Sequence, residues 1–116
     1  MNAVKNEYAA EDYCYRVFYS PEDEEYVGKV AEFPSLSVLE ETQVDALKGI
    51  VEAVRFVLCD MKESGEAMPA PLSLRSYSGH ISLRMTPEQH RFVAMQAAEQ
   101  NVSINRYINS CLAGCV

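Results

Sequence analysis

The 116-residue chain has no tryptophan, only two histidines, five glycines and five prolines. No Gly-rich loop that could cradle a phosphate is present, which removes the common nucleotide-binding classes. No apolar run approaches the roughly 18 to 20 residues that a membrane-spanning helix needs. The first residues, MNAVKNEYAAEDY, contain no apolar signal core, so a cytoplasmic location is expected. Basic residues are also scarce: 10 Lys and Arg face 17 Asp and Glu, a formal net charge of -7 that excludes a uniformly basic nucleic-acid binder. Both histidines, His80 and His90, lie late in the chain, so Cys14 and Cys59 have none nearby in sequence to activate a thiolate. Cys111 and Cys115 lack the second pair that a tetrahedral zinc site requires. All four cysteines are therefore expected as reduced, mostly buried thiols. Neither a catalytic residue nor a metal or other cofactor is expected.

What the chain does have is enough apolar residue to build a core, 48% hydrophobic against 23% charged. Its charge is divided unevenly. Residues 1–72 hold six basic and fifteen acidic groups, a net of -9, whereas residues 73–116 hold four basic and two acidic groups, a net of +2. Such a split points to two modules with different partners. The sign changes around Glu63-Ser-Gly-Glu-Ala-Met-Pro-Ala-Pro71, where a glycine stops a helix and two prolines forbid regular structure. The expected organisation is a first domain over 1–64, a linker over 65–78 and a second domain over 79–116.

In the first module, Tyr13–Ser20 and Tyr26–Phe33 are rich in aromatic and β-branched residues and flank the charged turn Pro21–Glu25, which predicts a β-hairpin. Pro34 ends the second strand, and a short third strand is expected around Leu36–Leu39. Thr42 then caps a helix, with Asp45 placed to complete a capping box. Leu47, Ile50, Val51, Val54, Val57, Leu58 and Met61 recur at three- and four-residue steps and give that helix one apolar face lasting to about Glu63. The fold class that follows is α+β, a small antiparallel sheet with one helix packed on it. The acidic cluster Glu22–Glu25 sits in a turn and reads as a solvated surface that would steer a basic protein, rather than as a catalytic carboxylate pair.

The second module opens with His80-Ile-Ser-Leu-Arg-Met85, a strict alternation with Ile81, Leu83 and Met85 on one face and His80, Ser82 and Arg84 on the other. Thr86-Pro-Glu-Gln89 starts a helix at once, with His90 at the edge of its apolar face and Asn101 ending it. Ser103 caps a second helix whose inward positions are Ile104, Ile108, Cys111 and Leu112. A lone strand with two helices cannot enclose a core, because its strand edges are unpaired and about 40 residues is too few. It needs a second copy. Two strands paired antiparallel would bury Ile81, Leu83, Met85, Ile104 and Ile108 in a shared dimer core and present His80, Ser82 and Arg84 to the DNA major groove. The second helix would aim its first amides, at Ser103, Asn105 and Arg106, at a phosphate.

The run His80–Leu112 resembles a ribbon-helix-helix DNA-binding domain, the class that includes Arc repressor. The whole chain is similar to HicB-type antitoxins of type II toxin-antitoxin systems, on Glu32-Phe-Pro-Ser-Leu-Ser37, Thr42, Asp45-Ala-Leu47, Glu63-Ser-Gly65, Pro69-Ala-Pro71 and Ser78-Gly79 ahead of the ribbon-helix-helix segment. It departs from many relatives in carrying Glu40 and Glu41 where they have Gly and Asp. The resemblance implies a partial ribonuclease-H-like first domain without a nuclease site, which binds a HicA-type mRNA-cleaving toxin. It also implies a second domain that dimerises, with a tetramer as the larger assembly, and represses its own operon by binding operator DNA. The other reading is a stand-alone ribbon-helix-helix regulator whose first module oligomerises or senses a ligand.

Overall fold

The computed structural model describes residues 7–115, so Lys5 and the first part of the N-terminal stretch lie outside the described residues. The architecture is α+β, with a three-stranded antiparallel sheet and three α-helices. The chain divides into two compact units, one up to Tyr77 and the other from Ser78.

In the first unit, β1 (Tyr15–Ser20) pairs antiparallel with β2 (Glu25–Val30), and β2 with β3 (Ser37–Glu40), in the order β1-β2-β3. The hairpin closes at Ser20 opposite Glu25. Ser20 Oγ bonds the Asp23 carboxylate at 2.9 Å, and Glu24 adopts a left-handed φ of 55° to complete the reversal. Helix α1 (Gln43–Ser64) starts at Thr42, whose hydroxyl accepts from the Asp45 amide at 3.1 Å, the first half of the expected capping box. It ends at Gly65, in the left-handed conformation that glycine adopts without cost.

The face of α1 that packs on the sheet is centred on Ala46, Ile50, Val54 and Leu58, which are buried, while Val51, Val57 and Met61 flank it half-buried and Leu47 is left exposed. Ile50, Val54 and Leu58 join Val30, Tyr13 and Ala10 in one cluster. Burying each large apolar side chain of this kind contributes about 1.5 to 3 kcal/mol. The helix reaches the sheet through Gly28, where a Cβ would lie 2.6 Å from the Ala46 carbonyl oxygen. Only a hydrogen in place of a side chain permits that approach.

The segment expected as a linker is held against this unit. The Tyr13 hydroxyl donates to the Pro69 carbonyl at 2.7 Å, Pro71 is fully buried, and Met68 packs on the core. The Glu32 carboxylate accepts from the Cys14 amide at 3.1 Å and from the Leu72 amide at 2.8 Å, tying the strap to the end of the sheet. Burial penalises the ionised form of Glu32, but these amides outweigh it and hold the carboxyl below its ordinary range. Tyr13 and Tyr15 shift the other way: burial, reinforced by neighbouring carboxylates, pushes both phenols up to about 12. Ion pairs on the surface join Arg55 to Glu11 and Glu52, and Lys62 to Glu7.

The second unit holds α2 (Pro87–Glu99) and α3 (Ile104–Ala113). Thr86 and Gln89 form a reciprocal capping box with Pro87 at the first helical position. Asn101, at φ 58°, turns the chain between the helices, and the Val102 amide reaches back to the Ala97 carbonyl at 3.0 Å. The expectation of buried cysteines fails here and in α1. Cys59, Cys111 and Cys115 are exposed and only Cys14 is half-buried. Cys59 follows the buried Leu58 by one residue and so lies a hundred degrees round the helix from it, while Cys111 and Cys115 lie where one chain has nothing to cover them.

Candidate functional site

Residues 80–85 of the second unit carry no helix and no strand ladder in the single chain. Gly79, with φ 82°, turns the chain into this segment, and the His80 amide donates to Ser78 Oγ at 3.1 Å. The alternation read from the sequence is left without cover: Ile81 is 81% exposed and Leu83 61%. Among the described residues of this unit only Ala97 is a buried apolar residue. Exposure on this scale is unusual for side chains of that size.

Those side chains line a groove of about 590 Å³ with a defined set of walls. Ile81, Leu83 and Met85 supply one wall, His90 and Val93 of α2 a second, and Ile104, Asn105 and Ile108 of α3 a third. All five residues expected in a dimer core thus meet around one concavity. Of the residues expected to face DNA, His80 and Ser82 are exposed outside it, whereas Arg84 and Asn105 stand on its lining. His90, expected at the edge of a core, is exposed on the rim of the same groove.

At the start of α3 the Ser103 hydroxyl accepts from the Arg106 amide at 3.0 Å, so this side chain is engaged as the cap. The Ile104 and Asn105 amides that follow are in the first turn, where the helix supplies no carbonyl partner and the dipole favours an anion. The Arg106 side chain is exposed beside them. Among the described residues the ion pairs use only Arg55 and Lys62, so no arginine of the second unit is neutralised by a neighbouring carboxylate. Further along α3 a hydrogen bond with Cys111, with some burial, pushes the Tyr107 phenol up.

The sequence spacing did not reveal Glu32, whose two amide bonds are made by residues 18 and 40 positions away. Its hydrogen bond to the Cys14 thiol, with some burial, raises that thiol and disfavours the reactive thiolate. No group of three or more His, Cys, Asp or Glu that could hold a metal occurs among the described residues, and no helix there is long and apolar enough to cross a membrane.

No curated protein and no solved structure matches the chain. Residues 63–112, from the last turn of α1 through the strap and both helices of the second unit, match the model of the HicB family; over this stretch the chain is HicB-like and consistent with a HicB-type antitoxin.

Proposed function

We propose that the chain is an antitoxin that binds and neutralises a HicA-type mRNA-cleaving toxin through its acidic first unit and represses its own operon through its second. The HicB match supports the antitoxin-like role in a toxin-antitoxin system. The observation that carries the DNA-binding half is the uncovered segment His80–Met85 with its groove. In this reading two copies pair these segments antiparallel, and Ile81, Leu83 and Met85 fill the groove together with Ile104 and Ile108. The ribbon so formed turns His80, Ser82 and Arg84 to the major groove, where an arginine can bridge O6 and N7 of a guanine. The first turn of α3, with Ser103, Asn105 and Arg106, meets the backbone phosphates. Dimers on adjacent half-sites would give the tetramer.

The charge division supports the two-partner reading: a net of -9 over residues 1–72 suits a basic protein, and +2 over residues 73–116, doubled in a dimer, suits DNA contacts that lean on base recognition more than on bulk charge. The test is operator binding by the full chain to the DNA upstream of its own gene. Arg84→Ala should lose roughly 1 to 3 kcal/mol of specific binding per chain and leave capture of the adjacent toxin intact. A wild-type chain that neither binds that DNA nor rescues growth arrested by the toxin would sink the proposal.

A further inference from the structure

The first unit also has an uncovered apolar corner, at the hairpin end of its sheet. The register sets Tyr19 opposite Tyr26, and Tyr26 opposite Glu40. Strand alternation puts both rings on the face they share with Gly28, the face on which α1 lies. Of the four buried residues of α1, Ile50, Val54 and Leu58 join Val30 and Tyr13 at the other end of that face, and Ala46 lies against Gly28 through its carbonyl oxygen. The helix therefore covers the Gly28–Val30 half and leaves Tyr26 half-buried and Tyr19 exposed. The rings meet edge to face at 5.2 Å, and Tyr19 stays 49% exposed.

The opening of α1 adds to this corner. Val44 is 61% exposed and Leu47 45%. Val44 is aligned along the helix with Arg55 and Lys62, which pair with Glu11 and Glu7 just ahead of β1. Ala46, two residues further on, sets its carbonyl oxygen against Gly28, so Val44 is exposed at the end of α1 nearest Gly28. The turn joining the two tyrosine strands is Pro21-Glu-Asp-Glu-Glu25, and none of its four carboxylates takes part in an ion pair among the described residues. A cluster of half-open aromatic and aliphatic side chains with a charged rim has the anatomy of a protein interface, in which a few anchors carry most of the energy.

We propose that this corner, with Tyr19, Tyr26, Val44 and Leu47 as anchors and Glu22–Glu25 as rim, is the docking surface for a basic protein. Charge complementarity selects that occupant: an uncompensated acidic rim repels a second copy of the same corner and attracts a cationic surface. The inference rests on the antitoxin reading, which supplies such a partner, and it adds where that partner binds.

The probe is a purified HicA-type protein, titrated into the full-length chain by calorimetry. Tyr19→Ala should weaken binding about 30-fold, as truncation of an interface anchor does. Val44→Glu, at a position too exposed to disturb the core, should weaken it at least about tenfold. Reversing the four rim charges to lysine should slow association about tenfold at low salt. Leu39→Ala, on the opposite face of the sheet, should change nothing. If the wild-type chain binds the probe and both Tyr19→Ala and Val44→Glu bind it equally well, the corner is not the docking surface while the antitoxin reading stands. A wild-type chain that does not bind the probe overturns that reading and the inference together. If the substitutions instead change the mass of the free chain by light scattering, a second copy covers the corner and the inference fails.

Discussion

The two units place similar apolar content very differently. Up to Tyr77, one chain suffices to bury Val30, Ile50, Val54 and Leu58, because a sheet and a 22-residue helix offer two broad faces to each other. From Ser78 onward two helices of 13 and 10 residues bury Ala97, while Ile81 and Leu83 stay in solvent. The lesson is that a hydrophobic pattern specifies a buried face without saying whose chain buries it. The first unit encloses its core within one chain, whereas the second arranges the side chains of a core around an open groove.

The largest expected effect tests that contrast directly. Ile81→Asp should abolish self-association of the full chain and specific DNA binding together, since an aspartate would place a charge in the shared core. Analytical ultracentrifugation and operator titration check it, and a variant that still dimerises removes the basis for the contrast. In the wild type, unfolding of the second unit should depend on protein concentration and unfolding of the first should not.

Next in size is Ile50→Ala, which should cost about 2 to 5 kcal/mol of first-unit stability because the side chain is fully enclosed. Chemical denaturation followed by tyrosine fluorescence reports it, and operator binding by the intact dimer should change little. A loss under about 1 kcal/mol would mean that the first unit, too, leans on a partner.

The smallest effect is at the strap. Glu32→Ala should cost about 1.5 to 3 kcal/mol, the range for bonds made to a charged group. The carboxyl is held below its ordinary range, so its contribution is complete above that range and fades as pH falls through the lowered folded-state value. The wild type should therefore lose stability on acidification faster than Glu32→Ala. Tyr13 and Tyr15 set the alkaline limit with the opposite sign. Their phenols sit near 12 in the fold against 10.0 ordinarily, so their contribution is complete below about 10 and is lost as pH rises toward about 12. Equal acid sensitivity in wild type and variant would show that the strap is not held through Glu32.

Much of the fold was legible from local chemistry. Thr42, Thr86 and Ser103 mark their helix starts through hydroxyls that accept a backbone amide three residues on, and the structure forms all three bonds. Pro21–Glu25 marked the hairpin, and the three- and four-residue spacing from Ile50 to Leu58 marked the buried stripe of α1. The stripe was misplaced only at its start, where Ala46 is buried and Leu47 exposed. Gly28 decides that shift, since the helix comes closest at the smallest side chain rather than at the most hydrophobic one. The cysteines were misread for a related reason: apolar character permits burial, but the direction of the side chain around its helix decides it.

The amino-acid sequence by itself determined the α+β order, the helix boundaries, the alternating segment His80–Met85 and the division of charge, because each depends on residues within a few positions of one another. Tertiary structure alone decided that the Pro69–Leu72 strap belongs to the first unit, through Glu32 and Tyr13, and that the rings of Tyr19 and Tyr26 meet on the helix-bearing face of the sheet. It also decided that Ile81, Leu83, Met85, Ile104 and Ile108 converge on a single groove. These are meetings of residues far apart along the chain, and no local spacing encodes them until the sheet register and the helix packing are fixed.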